Sequence, residues 1–182
     1  MTRWLNYLWL AHFSKPKGER ILFRLIKQHP VRSIVEIGVA DLARAERLIP
    51  FAGNFVPNGE LRYTAIDLFE GRDNPSTGVS LKEAHARLKQ YDAKIKVIPG
   101  DPFSALARTA NSLAGTDLVL IAEDVDADSM QRAWMYLPRT LHETSRVLVA
   151  MNTEDGPVYR QLHHEEIIRL SGANAKHIAR AA

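Results

Sequence analysis

Four acidic positions are the residues of this chain whose types and spacing could do chemistry, because each lies at or just after the end of a short apolar run. They are Glu36, Asp67, Asp101 and the pair Glu123–Asp124. In open parallel sheets, ligands bind beyond the carboxyl ends of the strands, so these carboxylates are expected to line one pocket. Grouped carboxylates attract a positively charged ligand, and one carboxylate can accept hydrogen bonds from both hydroxyls of a ribose.

The turn expected after the first strand disfavours one large class of ligands. It reads Gly38-Val39-Ala40-Asp41-Leu42, with a single glycine and a carboxylate where a phosphate would sit. Phosphate-binding turns need several glycines and an unobstructed helix N-terminus. Dinucleotides and nucleoside triphosphates are therefore disfavoured, and an NAD-linked oxidoreductase is the weakest hypothesis because its three-glycine fingerprint is missing.

A ligand with a ribose and a cationic centre but no phosphate suits these residues better. Asp67 could accept the ribose hydroxyls, and Glu36 would place negative charge near an ammonium or sulfonium group. Asp101 could accept a hydrogen bond from the adenine amine, with Leu68 and Phe103 on either side of the ring. S-adenosylmethionine has each of these parts.

An alternation of short apolar runs with helical patterns predicts the elements that position these residues. Such alternation is typical of an α/β fold with a parallel sheet. The predicted strands are 33–38, 62–68, 95–99, 117–122 and 146–151. The predicted helices start at Asp41, at Ser80 with Glu83, and at Asp101 with Pro102, and two more cover about 130–141 and 157–170.

Four motifs in this order resemble the successive cofactor motifs of class I S-adenosylmethionine-dependent methyltransferases: VEIGV, YTAIDL, VIPGDPF and DLVLIAED. The resemblance covers roughly residues 31–151 and is closest to a bacterial group whose first motif also reads Glu-Ile-Gly-Val. It implies a three-layer αβα sandwich with a mostly parallel sheet of order 3-2-1-4-5. It also implies that Glu36 and Gly38 line the methionine end of the cofactor, Asp67 the ribose and Asp101 the adenine.

The chain departs from the family pattern at several positions. Glycine-rich relatives have glycine where this chain has Ala40 and Leu42, and Leu42 is interpreted as a helix residue. Relatives that bind a metal carry an Asp, followed by Asp-His, where this chain has Ala122, Asp124 and Val125. No metal site is therefore predicted and the catalytic residue stays unknown, while Asp124 is a candidate contact on the substrate side.

Several of these residues also have structural interpretations. Asp41 is interpreted as a helix cap, and Asp101 is equally able to cap a helix or to contact a ligand. The acidic run 123–128 is interpreted as a loop and cap, because a calcium loop would need a glycine in place of Ser129. The segment 72–78 is either a lid over the site or a plain surface loop.

The chain is expected to form a single Rossmann-like domain over residues 1–182. N-terminal helices would occupy 1–30, the cofactor-binding core 31–151, and a C-terminal helix and tail 152–182. Only 31 residues follow Met151, so the antiparallel C-terminal hairpin that completes a seven-stranded family sheet is expected to be absent or truncated.

The N-terminal stretch WLNYLWLAHF is apolar and aromatic, but its ten residues are too few for a bilayer, which needs roughly twenty. Its Trp4, Leu5, Leu8, Trp9 and Phe13 share a broad helical face. The stretch is therefore interpreted as a helix that docks on the domain or forms a homodimer.

Composition bears on the chemistry, the location and the partners expected for the chain. The chain has no cysteine, which excludes disulfides and thiolate chemistry and fits the reducing cytoplasm, the location expected for it. The net charge of +3 comes without any long basic run, so no nucleic-acid partner is expected.

The leading hypothesis is an S-adenosylmethionine-dependent methyltransferase that acts on a small-molecule or otherwise unknown acceptor. The alternative is a non-catalytic methyltransferase-like protein that binds nucleosides or serves as a scaffold.

Overall fold

The structure, a computed structural model, describes residues 8–72, 74, 78–154 and 156–181, with side chains as far as residue 172. These residues form six strands, of which five were predicted. The strands are β1 Ser33–Ile37, β2 Arg62–Asp67, β3 Lys94–Pro99, β4 Thr116–Ile121, β5 Leu141–Thr153 and β6 Gly156–Leu162.

These strands form one mixed sheet in the order β3-β2-β1-β4-β5-β6. The first five are parallel, and β6 is antiparallel to β5. The predicted order 3-2-1-4-5 is therefore confirmed. Chain order reverses between β1 and β4, and their carboxyl ends border the switch point where open α/β sheets bind ligands.

The described residues also form six α-helices. These are α1 Arg20–Gln28, α2 Ala43–Gly53, α3 Leu81–Leu88, α4 Pro102–Thr109, α5 Ala127–Ala133 and α6 His164–Ala181. Two predicted caps are confirmed. The Ser80 hydroxyl accepts a hydrogen bond from the Glu83 N–H at 3.1 Å, and the Asp101 carboxylate accepts one from the Phe103 N–H at 3.0 Å.

Two apolar cores, one on each face of the sheet, make the three-layer αβα sandwich that was predicted. Helices α1, α2 and α3 pack on one face through residues such as Phe23, Leu48 and Leu88. Helices α4, α5 and α6 pack on the other face through Leu106, Met130 and Ile167. Every residue of β1 is buried, because a central parallel strand is covered on both faces and can be apolar throughout.

The prediction of a last helix over about 157–170 was wrong for the first part of that range. Residues 157–162 belong to β6, and α6 begins only at His164. In the sequence, Pro157 resembles the first residue of a helix. In the structure the segment alternates its side chains between two faces, with Tyr159 and Leu162 buried, as a paired strand requires.

The C-terminal part of the sheet is shorter than a seven-stranded pattern. The strand β6 pairs directly with β5, from Val147↔Leu162 to Thr153↔Gly156. Among the described residues, this one antiparallel strand stands where the full pattern has a hairpin of two, so the predicted truncation is confirmed.

The N-terminal segment differs from the predicted amphipathic helix. Trp4 and Leu5 lie outside the described residues. The rest forms a single π-helical turn, Trp9–Phe13, in which Leu10 is buried while Trp9 and Phe13 are 54% and 68% exposed. The homodimer through this segment stays a prediction. No helix in the described part of the chain has the length and apolar character needed to cross a membrane.

Gly18 allows the N-terminal segment to pack on β6, so Gly18→Ala is expected to destabilise the fold. An added Cβ would lie 1.7 Å from the backbone oxygen of Pro157, a distance that forces the backbone to move. We expect the free energy of unfolding, measured with urea, to fall by about 1–3 kcal/mol. The control is Gly53→Ala in α2, where a Cβ meets nothing within 4 Å. Equal stability of Gly18→Ala and wild type would contradict this packing.

Candidate functional site

The carboxyl ends of β1, β2, β3 and β4 border two adjoining cavities. The first, which we call the strand-end cavity, has about 50 Å³ and lies among Gly38, Asp67, Asp101 and Asp124. The second, the loop cavity, has about 400 Å³ and lies between the turn after β1 and Glu123. Both are lined by Gly38 and Asp124, so they adjoin. The strand-end cavity has room for only a few water molecules.

The turn after β1 keeps a left-handed backbone at three alternate positions. The φ angles are +84° at Gly38, +45° at Ala40 and +68° at Leu42. Glycine-rich relatives were expected to carry glycine where this chain has Ala40 and Leu42, so the turn has left-handed residues at these two positions without glycine. The interpretation of Leu42 as a helix residue was wrong, because α2 begins at Ala43. Leu42 is fully buried, and this packing offsets its backbone strain.

The predicted cap at Asp41 contacts the start of α2. Its Oδ1 accepts a hydrogen bond from the Ala43 N–H at 2.9 Å.

Gly38 lies where the turn after β1 comes close to the loop after β4, and only a residue without a Cβ fits there. A Cβ there would lie 2.7 Å from the Cβ of Ala122 and 2.8 Å from a methyl carbon of Val125. The turn after β1 and the loop after β4 can therefore meet only at a glycine.

Glu36 is fully buried and lines neither cavity. Its Oε1 accepts a hydrogen bond from Arg44 Nε at 2.6 Å, and its Oε2 accepts one from the Tyr63 hydroxyl at 2.6 Å. Burial alone would lower the pKa of Arg44, but the Glu36 charge raises it, so the guanidinium stays ionised. The Glu36 charge is thus met by Arg44 in this structure.

Asp67 is nearly buried at 5% exposure, and its carboxylate accepts five hydrogen bonds from described residues. The backbone N–H groups of Val39, Ala40 and Phe69 donate at 2.7, 3.1 and 3.0 Å. Arg72 donates from Nε at 2.8 Å and from Nη2 at 2.6 Å. Burial opposes ionisation, but the hydrogen bonds from Arg72, Phe69 and Val39 hold the pKa of Asp67 below its usual value.

Arg72 lines the strand-end cavity and binds two of its carboxylates. Besides its two bonds to Asp67, it donates from Nη1 to Asp124 Oδ2 at 2.7 Å, and its side chain is 13% exposed. It therefore holds the Asp67 oxygens that a ribose was expected to use. Arg72 is the first residue of the segment 72–78, which was interpreted as either a lid or a surface loop and of which residues 73 and 75–77 lie outside the described part of the chain. Neither Arg72 nor Arg44 was identified from the sequence.

Asp101 caps a helix, as one of its two interpretations predicted, and it also lines the strand-end cavity, whereas its contact with a ligand stays a prediction. It accepts hydrogen bonds from the N–H groups of Phe103 and Ser104 and from the hydroxyls of Ser104 and Ser129. Partial burial would raise its pKa, but these donors lower it to about 2. The carboxylate is therefore charged at neutral pH.

The two residues expected to sandwich an adenine are not brought together. Leu68 is 41% exposed and lines the strand-end cavity. Phe103 lies outside its lining, with the Arg132 guanidinium 4.6 Å from its ring centre and the Tyr136 ring 5.7 Å away. In this structure Phe103 supports the helix layer instead of facing Leu68.

The acidic run after β4 is a loop and helix cap, as predicted. Asp126 accepts a hydrogen bond from the Ser129 N–H at 2.6 Å and caps α5. Asp124 pairs with Arg72. Within the described residues, no group of three or more His, Asp and Glu side chains is placed to hold a metal ion.

Glu123 is a candidate that the sequence paired with Asp124 but did not single out. It lines the loop cavity, and its Oε2 is buried with no hydrogen-bond partner among the described residues. A buried carboxylate oxygen without a donor is costly, so it is suited to a donor on a ligand.

Charge in the strand-end cavity favours cations over phosphates. Its lining carries the carboxylates of Asp67, Asp101, Asp124 and Asp126 and a single cation, Arg72. A phosphate would be repelled by these groups, whereas an ammonium or sulfonium would be attracted.

Similarity to known proteins is found in structure and not in sequence. Neither a family model nor a curated protein matches the chain. Its structure is similar to precorrin-6y C5,15-methyltransferase from Geobacter metallireducens, with a TM-score of 0.52 and 15% identity over 79% of this chain and 65% of that one. It is also similar to CalS11, a calicheamicin methyltransferase, with a TM-score of 0.53 and 17% identity over 82% of this chain and 76% of that one. The chain thus spans slightly less than two thirds of the first protein. Identities this low establish the fold alone.

Ala40→Gly is expected to stabilise the protein, because glycine adopts a left-handed backbone without the strain of a Cβ, about 1–2 kcal/mol. The greater freedom of glycine in the unfolded chain cancels about 0.5–1 kcal/mol of this. We expect a net gain of up to about 1.5 kcal/mol in the free energy of unfolding, measured with urea. The matched variant is Leu42→Gly, which relieves the same strain but should lose about 2–5 kcal/mol of packing. A destabilised Ala40→Gly would show that the turn is not strained at this position.

Asp101 is expected to make stability depend on pH between about pH 4 and pH 2. Its pKa of about 2 in the folded protein lies below the ordinary value of 3.8, so its contribution is complete above pH 4 and is lost as the pH falls through 2. The melting temperature of Asp101→Asn should therefore fall less between pH 5 and pH 2.5 than that of wild type. Asp128→Asn, an exposed substitution in α5, is the control. The expectation would be contradicted if the melting temperatures of wild type and Asp101→Asn fell by the same amount over this pH range.

Proposed function

Because this chain has the Rossmann-like fold of class I S-adenosylmethionine-dependent methyltransferases, we propose that it binds S-adenosylmethionine and transfers the methyl group to a small-molecule acceptor. One observation carries the proposal. Asp67 and Asp101, at the ends of β2 and β3, line one anionic cavity beside Gly38, and the turn there does not suit phosphate. Since the chain has no cysteine, we propose the reducing cytoplasm as its location.

The ribose of the cofactor would take the Asp67 oxygens that Arg72 now holds. Three of the five hydrogen bonds to Asp67 come from backbone N–H groups and fix the carboxylate in place. The other two come from Arg72, and two ribose hydroxyls can replace them without changing the backbone. A cavity of about 50 Å³ admits a nucleoside only after Arg72 moves out, so displacement of Arg72 is part of the proposal.

The loop cavity would hold the methionine end of the cofactor and the acceptor. Its volume of about 400 Å³ is in the range of small-molecule sites. Glu123 would accept a hydrogen bond from a donor on either ligand, since its Oε2 has no partner within the described residues. Glu36 would act indirectly, because it fixes Arg44, which lines this cavity.

The mechanism we propose requires few catalytic residues. When bound, S-adenosylmethionine would supply a methyl group on a cationic sulfur: the acceptor nucleophile would bond to the methyl carbon as the carbon–sulfur bond breaks, and S-adenosylhomocysteine would leave. The chain would contribute binding and alignment. Asp67 and Asp101 hold the nucleoside, and the loop cavity orients the acceptor and excludes water.

A specific observation favours a second candidate function, a non-catalytic methyltransferase-like protein. The buried carboxylates that the sequence assigned to the cofactor, Glu36 and Asp67, are already paired with arginines, Arg44 and Arg72. Such pairs satisfy the carboxylates without any ligand. In that case the fold would serve as a scaffold, and the cofactor would not bind or would bind without turnover.

Calorimetry with S-adenosylmethionine and S-adenosylhomocysteine tests the proposal. We expect micromolar binding by wild type, on the order of −7 to −8 kcal/mol. Arg72→Ala should bind about tenfold more tightly, because the ligand no longer displaces charge-assisted hydrogen bonds. Asp67→Asn should lose most of the affinity. The control is Arg160→Ala, which breaks an exposed pair with Glu166 away from both cavities.

The calorimetry results distinguish a methyltransferase from a non-catalytic protein with the same fold. The absence of binding to wild type and to Arg72→Ala would defeat the methyltransferase proposal. Binding without turnover on any acceptor tested would support the non-catalytic candidate. Weaker binding by Arg72→Ala would show that Arg72 contacts the cofactor instead of competing with it. Circular dichroism of Asp67→Asn checks that it is folded, because its carboxylate also fixes backbone N–H groups.

A further inference from the structure

A third cavity lies at the opposite edge of the sheet from the proposed cofactor site. This basal cavity has about 360 Å³ and opens beside the amino-terminal halves of the strands, where the 3₁₀ turn Ala110–Leu113 ends the cover of α4. Its lining comprises Ser33, Ile34, Val35, Arg62, Thr64, Lys94, Ile95, Lys96, Ser112, Leu113 and Thr116. Arg62 and Asp67 lie at opposite ends of β2, about 16 Å apart at 3.3 Å per residue, so the basal cavity is separate from the strand-end cavity.

Three cations lie together on one wall of the basal cavity. Arg62 and Lys94 are register partners on the neighbouring strands β2 and β3, about 4.8 Å apart at the backbone. Lys96 follows Lys94 by two residues and so projects from the same face of the sheet. Like charges placed side by side on a sheet destabilise it unless a counter-charge is present.

No carboxylate of the protein supplies that counter-charge. The lining of the basal cavity contains no Asp or Glu. Over the described ranges, none of Arg62, Lys94 and Lys96 forms an ion pair. Asp117, next to Thr116 in β4, is occupied by the N–H groups of Arg32 and Ser33 and by His142.

One hydroxyl group, that of Thr64, adds a neutral donor to the same wall. Thr64 is the register partner of Lys96 and is only 6% exposed, and its hydroxyl has no hydrogen-bond partner among the residues described. The Lys96 ammonium donates to the Ser112 hydroxyl at 2.9 Å, which holds the lysine over the cavity. Thr64 Oγ1 is not among the buried polar atoms that lack a partner, so this hydroxyl is open to the cavity and can donate to a ligand there.

We propose that the basal cavity binds an oxyanion carried by a small molecule, a phosphate group being the best match. Arg62, Lys94 and Lys96 would neutralise the anion, and the Thr64 hydroxyl would donate to one of its oxygens. The cavity is larger than a phosphate, and Val35 and Leu113, which belong to the apolar core on this face of the sheet, would contact an organic body attached to it. A nucleic acid fits less well, because the three exposed cations border a single cavity and form no extended basic stripe.

Isothermal titration with inorganic phosphate and with glycerol 3-phosphate, at constant ionic strength, tests this site in the full chain. Wild type is expected to bind both at a single saturable site. The double substitution Lys94→Gln and Lys96→Gln should weaken binding at least tenfold, and Thr64→Val, which keeps the shape but removes the hydroxyl, about threefold. The matched control is Lys82→Gln with Lys89→Gln, which removes the same charge from the exposed side of α3 and should change affinity less than twofold.

Each outcome decides for or against the site. Tighter binding of glycerol 3-phosphate than of phosphate would identify a phosphorylated small molecule, and equal binding would identify free phosphate as the ligand. The absence of saturable binding would overturn the proposal, as would equal losses in the lysine pair and its control. S-adenosylmethionine affinity is measured on the same variants, and we expect it to be unchanged, so this proposal and that for the cofactor site can fail separately.

Discussion

The Asp67 carboxylate joins the end of β2 to the turn after β1, and the geometry of the whole site depends on this contact. A buried carboxylate must find donors, and here the N–H groups of Val39 and Ala40 provide two of them. To present these groups, the turn takes up a left-handed backbone at Ala40 and Leu42, which side chains tolerate only at a cost. The packing of Leu42 and the close contact at Gly38 hold the strained turn in place.

The sheet and the helix caps could be predicted because they depend on local pattern. Runs of apolar residues located five strands, and the motif order implied their arrangement, which the structure confirms. The strand β6 was missed because Pro157 resembles a helix start, whereas its pairing with β5 depends on residues distant in the sequence. The left-handed backbone at Leu42 was missed for a similar reason, since nothing in its neighbours' identities indicates that Asp67 draws the turn into shape.

The candidate site was predictable only in part. The sequence placed Asp67 and Asp101 at neighbouring strand ends, and both line the strand-end cavity. It did not indicate which cations would meet the carboxylates. Arg44 reaches Glu36 from α2, and Arg72 reaches Asp67 from beyond the end of β2. Side-chain direction depends on packing in three dimensions, and no spacing rule in the sequence specifies it. A fold shared with methyltransferases is compatible with an active site and also with a site whose carboxylates are permanently paired with arginines. Function belongs to the site and not to the fold.

Arg72 has a consequence for any measured dissociation constant. A ligand that needs the Asp67 oxygens binds only those molecules in which the guanidinium has swung away from both Asp67 and Asp124. The apparent constant equals the intrinsic one divided by the fraction of such open molecules. If about one molecule in ten is open, affinity is weakened about tenfold, which corresponds to about 1.4 kcal/mol. The two ion pairs of one arginine thereby set a threshold concentration below which the pocket stays closed to its ligand.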